Sequence, residues 1–168
     1  MFDEETEIAI LDKFLEVSPL VALCERLRNF PKKKVVLRGN CLGLEGAKVL
    51  GTYLSEDNTL EYLSLEWNQL GSSGANVISN ALEKNITLTH LDLRNNNIKN
   101  DGAIALANSL AINRNLRSID LRWNQIEDKG AIAFKSEILD RNPPLKFQIS
   151  GNHLSANISE KVEEWLVG

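Results

Sequence analysis

The chain has 168 residues, 43% hydrophobic and 25% charged, with a net charge of −4 at neutral pH. That length allows one domain with a substantial core, and the mixed charge argues against a nucleic-acid binder or a disordered acidic tail. No stretch approaches the roughly 18 continuous apolar residues of a membrane span. The start, Met1-Phe2-Asp3-Glu4-Glu5, is acidic where a secretory leader would be basic, and no apolar run follows. Cys24 and Cys41 form no disulfide framework. A cytosolic location is expected, in which the glycosylation sequons at Asn85 and Asn157 are coincidental.

In chain order, Asp3 to Glu16 and Ser18-Pro19 to Arg28 predict two helices, with Pro19 at the first helical position and Ser18 as its cap. Leu23 and Leu27 then lie where the second helix would cover the first strand. Lys32-Lys33-Lys34 reads as a solvated edge at the entry to that strand. From there a text repeats every 28 residues without slippage, fixed by Asn40, Asn68, Asn96, Asn124 and Asn152. Three positions before each stands Leu37, Leu65, Leu93, Leu121 or Ile149, and two after each stands Leu42, Leu70, Ile98, Ile126 or Leu154. A fixed period in this range marks a solenoid.

Within each unit, alternation as in His90-Leu91-Asp92-Leu93-Arg94 predicts a strand with one buried face. Pairs four apart, such as Ile78 with Leu82 and Leu106 with Leu110, predict a helix after it. Ser72, Asn100 and Asp128 stand where N-caps are expected, and Asn85 and Asn113 where a left-handed residue would end a helix. Stacked strands sit about 4.8 Å apart and packed helices about 8–10 Å, so the stack must bend with its sheet inside. The expected organisation is a helical cap over residues 1–31, repeats over 32–154, and a capping helix over 155–168. Ile158, Val162, Trp165 and Leu166 form the buried stripe of that last helix.

The repeated asparagines read as a structural ladder, because a buried amide must place both its donors and its acceptor. Function is expected at the positions that the repeat leaves free. These form four columns on the sheet face: Lys34, Tyr62, His90, Ser118, Lys146; Val36, Ser64, Asp92, Asp120, Gln148; Arg38, Glu66, Arg94, Arg122, Ser150; and Gly39, Trp67, Asn95, Trp123, Gly151. The candidate partner-binding residues are Tyr62, Glu66, Trp67, His90, Asp92, Arg94, Asp120, Arg122 and Trp123. Trp, Tyr and Arg are the commonest binding hot spots. The competing expectation is that each Trp packs over its own turn while the aspartates and arginines neutralise one another. His90 and His153 sit in different repeats, with no Cys, Asp or Glu at metal-ligand spacing. No nucleophile elbow, phosphate loop or dinucleotide fingerprint occurs, so no enzyme activity, metal or cofactor is expected.

The unit resembles the ribonuclease-inhibitor class of leucine-rich repeats, over roughly Val35 to Leu154. The resemblance implies an α/β, right-handed horseshoe with parallel strands on the concave face and helices on the convex face. Leu65-Glu66-Trp67-Asn68, Leu93-Arg94-Asn95-Asn96 and Leu121-Arg122-Trp123-Asn124 are similar to the leucine-rich repeat-containing protein 45 family. Arg38-Gly39-Asn40, lacking an aromatic residue, departs from that pattern. The likeness implies a protein-binding scaffold at the centrosome, basal body or cilium, in a family whose coiled coil beyond Gly168 would allow oligomerisation. No nucleic-acid or membrane partner is expected, on the mixed charge and the lack of a long apolar run. Two alternatives belong to the same class: GTPase activators of the RanGAP type, whose arginine-bearing inserted loop this strict period leaves out, and actin-capping tropomodulin-like domains, whose repeats are less regular.

Overall fold

A computed structural model describes residues 6–167. Among these, six short strands form one parallel sheet in sequence order. They are β1 (Glu7–Ala9), β2 (Lys34–Val36), β3 (Tyr62–Ser64), β4 (His90–Asp92), β5 (Ser118–Asp120) and β6 (Lys146–Gln148). The helices α1 (Val17–Asn29), α2 (Gly43–Glu56), α3 (Gly71–Leu82) and α4 (Lys99–Ile112) follow the first four strands. After β5 the helical layer is split into α5 (Asp128–Ile132) and α6 (Lys135–Leu139), and α7 (Ala156–Val167) follows β6. The chain is therefore an α/β solenoid, with strands on one side and helices on the other.

The buried aliphatics predicted from the period fill the space between the layers: Leu37, Leu65, Leu93 and Leu121 have no exposed surface. Gly and Ala at each helix start let the helices approach closely. A Cβ on Gly102 would stand 2.9 Å from the Ala75 Cβ and 3.1 Å from the Ser72 Cα. In the repeat of Asn124, Phe134 replaces the aliphatic of earlier helices and meets Phe147 of β6, ring centroids 4.7 Å apart. At the far end α7 turns Ile158 and Val162 inward.

The helix expected over Asp3 to Glu16 is corrected within the described residues; positions 3–5 lie outside them. Glu7–Ala9 is a strand paired with Lys34–Val36 at an offset of 27 rather than 28. The Lys13 amide donates to Asn40 Oδ1 at 3.1 Å, so Lys13 stands where later units place asparagine. Asp12 and Phe14 share the positive φ of the later turns. The N-terminal segment is thus a sixth, irregular repeat, and it leaves α1 as the only helix of the expected N-terminal helical cap among the described residues. That helix begins at Val17, so Pro19 lies within its first turn rather than at its start.

The asparagine ladder runs the length of the sheet. Each amide bonds inside its own turn and to the repeat before. Asn68 Nδ2 donates to Leu37 O (2.7 Å) and Glu66 O (3.1 Å), while its Oδ1 accepts from the amides of Asn40 (3.1 Å) and Leu42 (3.4 Å).

The expected helix caps work differently. Neither Leu70 nor Ile98, the residue before α3 or α4, makes a side-chain cap bond. Ser72, Asn100 and Asp128 instead reach the following repeat. Asn100 Oδ1 accepts from the Glu127 and Gly130 amides at 2.9 and 3.2 Å, and Asp128 Oδ1 from the Ser155 amide at 2.8 Å.

Asn85 and Asn113 are not left-handed terminators; they belong to a second buried ladder at the helix ends. Asn113 Nδ2 donates to Leu82 O and Asn85 O, and its Oδ1 accepts from the Asn115 and Leu116 amides. Asp57 opens this ladder by accepting from the Thr59 and Leu60 amides, and Arg141 closes it.

The two cysteines separate by environment. Cys24 is 2% exposed in the core, and burial, opposed weakly by Arg28, pushes its thiol up to about 11. Cys41 is exposed. Since the thiolate is the reacting species, iodoacetamide at pH 8 is expected to modify the folded protein at Cys41 and spare Cys24, as read by peptide mass mapping. The raised Cys24 value contributes stability below its ordinary value of 9.0, and that contribution fades as the pH rises toward about 11. Equal labelling of both thiols under native conditions would contradict this.

Candidate functional site

The alternate strand residues gather on one face, as the pleat requires. In-register pairing places Tyr62 beside His90 and Asp92 beside Asp120. Tyr62 and His90 stack at 6.1 Å with 26° between their planes, and Lys34 Nζ lies 5.2 Å from the Tyr62 ring centre. His90 Nδ1 shares a hydrogen bond with Thr89 Oγ1. Burial, reinforced by the Asp92 charge, raises the Tyr62 pKa, so its hydroxyl remains a neutral donor.

The acidic and basic candidates form one bonded group. Asp92 accepts from Arg94 Nε (3.0 Å), Arg94 Nη2 (2.7 Å), the Arg94 amide and Ser64 Oγ. Arg94 Nη2 also donates to Glu66 at 2.8 Å, and Asp120 lies 3.5 Å from Arg94 Nε. Arg122 repeats the arrangement on Asp120, with Nη2 2.6 Å from Oδ2. These hydrogen bonds, before any other cause, raise the pKa of both guanidinium groups. Asp92 and Asp120 are 7% and 8% exposed. Within the candidate set they serve as buried anchors that hold Arg94 and Arg122, whose exposed edges share the surface with Tyr62 and His90.

The tryptophans are the accessible part. Trp67 is 57% exposed and Trp123 is 48% exposed. Both occupy the left-handed region, with φ of 58° and 55°. Bulky residues are rare there, and Gly39, Asn95 and Gly151 at the same turn position are the types that tolerate it. Trp123 lies over Gly151, where an added Cβ would overlap the indole, and the Arg122 guanidinium sits 5.4 Å from the Trp123 ring centre. Trp123 thus packs on the following repeat rather than over its own turn. The left-handed turn was not anticipated from the sequence, although the glycines at 39 and 151 carry its signal.

Among the described residues no group of three or more His, Cys, Asp or Glu is placed to hold a metal ion. No helix there is long and apolar enough to cross a membrane. A family model described as leucine-rich repeat matches residues 56–79, 84–107 and 113–135. All nine candidate residues fall inside those three segments. No curated protein matches the chain at a significant level.

Proposed function

We propose that this chain, a leucine-rich repeat domain, is a non-enzymatic scaffold that binds a protein partner through its concave sheet face. The observation that carries the reading is the pair of exposed, left-handed tryptophans. Each holds a backbone conformation that costs a bulky residue on the order of 1 kcal/mol or more, at a position where glycine or asparagine serves equally well in neighbouring turns. Such strain, offset only by the packing of Trp123 on Gly151 and Arg122, is expected where the side chain is needed by something else. Tyr62 and His90 extend the contact area, and Glu66, Asp92, Arg94, Asp120 and Arg122 hold it rigid, so little ordering entropy is lost on binding.

The cellular setting proposed is the centrosome, basal body or cilium, supported by the likeness of the Glu66-Trp67, Arg94-Asn95 and Arg122-Trp123 motifs to the family named above. A GTPase-activating role is less favoured. An arginine acting on a nucleotide in trans must be free to reach it, and Arg94 and Arg122 are each tied to aspartate.

Replacing Trp67 and Trp123 together by Asn tests the reading. The double variant is expected to keep or slightly raise its melting temperature, because asparagine tolerates the left-handed turn. In cells, proximity labelling by the double variant is expected to lose partners that the native protein labels. A folded double variant with an unchanged labelling profile would rule out this face, and labelling dominated by nuclear-transport or actin proteins would displace the centrosomal setting.

A further inference from the structure

The rim column containing the tryptophans has a geometry that selects among partner conformations. Its backbone continues the ladder of the sheet: the amides of Gly39, Trp67, Asn95 and Trp123 donate to Glu66 O, Arg94 O, Arg122 O and Ser150 O at 2.9 to 3.2 Å. Neighbours in the column are therefore one strand spacing apart, which puts Trp67 and Trp123 about 10 Å from each other with Asn95 between them. Large and small residues alternate along the rim: Trp67, then Asn95, then Trp123, then Gly151.

Three conformations of a bound segment can be compared with that spacing. An extended strand repeats on one face about every 6.8 Å and misses the second indole. A polyproline II helix repeats every three residues at about 3.1 Å each, or about 9.3 Å, and meets both. An α-helix returns to the same face after seven residues, about 10.5 Å, and comes second. Hydrogen bonding separates these last two. Trp67 Nε1, Trp123 Nε1 and Asn95 Nδ2 have no acceptor among the described residues. An α-helix has already used its carbonyls internally, whereas a polyproline II segment carries no internal hydrogen bonds and presents every carbonyl outward. Flat indoles flanked by donors are also what proline rings and their carbonyls pack on in known aromatic grooves.

We infer that the Trp67–Asn95–Trp123 rim binds a proline-rich segment in polyproline II conformation, with one proline turn on each indole and the Asn95 amide donating to a carbonyl between them. The inference rests on the partner-binding role proposed above for the same face and adds the chemistry of the partner.

The test uses the full chain carrying Trp165→Phe, so that only Trp67 and Trp123 report. Titration with a decaproline peptide is expected to give a saturable change in tryptophan emission. A helical alanine–lysine peptide of equal length is expected to give none. Adding Trp67→Asn or Trp123→Asn is expected to weaken decaproline binding by about tenfold or more, and Asn95→Gly to weaken it less while both indoles still respond. A second measurement covers sequence context: an array of proline-rich peptides varied at their non-proline positions, probed with the native chain and with the double Asn variant.

If neither decaproline nor any array peptide binds in a tryptophan-dependent way, the inference is overturned. Saturable binding of the helical peptide through the same indoles would also overturn it. In either case loss of cellular partners by the double Asn variant would still support the concave face as the site. Unchanged cellular partners together with tryptophan-dependent decaproline binding would instead sink the broader role and leave the rim chemistry standing.

Discussion

Replacing Asn96 by Ala is expected to lower the unfolding free energy by about 3 kcal/mol. The side chain is fully buried. Its Nδ2 donates to Leu65 O (2.8 Å), Leu93 O (3.0 Å) and Arg94 O (2.9 Å), and its Oδ1 accepts from the Asn68 and Leu70 amides at 3.1 and 3.3 Å. Alanine removes every one of these at once and leaves two main-chain amides without an acceptor. An unmatched buried donor forfeits its hydration with no return, about 1–3 kcal/mol for each group. Water entering the vacated space recovers part of that, which is why the sum stays below the maximum. Denaturant unfolding should show an earlier midpoint. Little change in that midpoint would mean that the ladder contributes less than its geometry suggests.

The second large effect is expected at Arg141, whose side chain is 1% exposed. It stands at the helix-end position that Asn85 and Asn113 hold in earlier repeats. Its Nη1 donates to Leu110 O (3.2 Å), and Nη2 to Asn113 O (2.8 Å) and Leu116 O (2.7 Å). Burial, reinforced by Arg114 and opposed by Glu137, pulls its pKa down, and its Nε has no partner among the described residues. The guanidinium is therefore held in place by carbonyls more than by charge pairing, since Glu137 lies 3.9 Å away.

Arg141→Ala exposes three carbonyls and a cavity, an expected loss of about 3 kcal/mol. Arg141→Asn restores the bonds to Leu110 O and Asn113 O, as Asn113 makes them to Leu82 O and Asn85 O, and is expected to recover part of that loss, because Pro143 and Pro144 offer its Oδ1 no amides as Asn115 and Leu116 do for Asn113. Two variants of equal stability would show that side-chain volume, rather than carbonyl satisfaction, matters there.

These two ladders mark how far the chain could be read in advance. Periodic residues with one physical solution were legible: Leu63, Leu91 and Ile119 could only face the core, and Asn68 or Asn96 could only satisfy buried backbone. The N-terminal repeat was not legible, because Lys13 supplies only its amide where later units use a side chain, and its offset of 27 breaks the period. The helix-end ladder was visible as Asn85 and Asn113, but a local cap explained the same residues, and only the fold brings Leu54 O and Leu82 O within reach. Ser72, Asn100 and Asp128 were misread for the same reason: a sequence shows what a residue can bond, not that its nearest donor belongs to the next unit.

For the candidate site, alternation put seven of the nine residues on one face, and the 28-residue period added Trp67 and Trp123 as a column at the strand ends. It could not show that an aspartate, two positions before an arginine, accepts both its amide and its guanidinium. Asp92 and Asp120 are therefore sunk beneath Arg94 and Arg122. Nor could it show the left-handed turn under Trp67 and Trp123, since the strain there has no apolar pattern to announce it.

The asparagine bonds all point the same way along the stack, and this gives the molecule a direction. Taking away the Lys13 unit would free the Asn40 Oδ1 and still leave Asn40 Nδ2 bonded to Arg38 O. Taking away the Asn152 unit would strand two main-chain donors, at Asn124 and Ile126. The rod is therefore easier to erode from its N-terminal tip than from the tip beside Trp123.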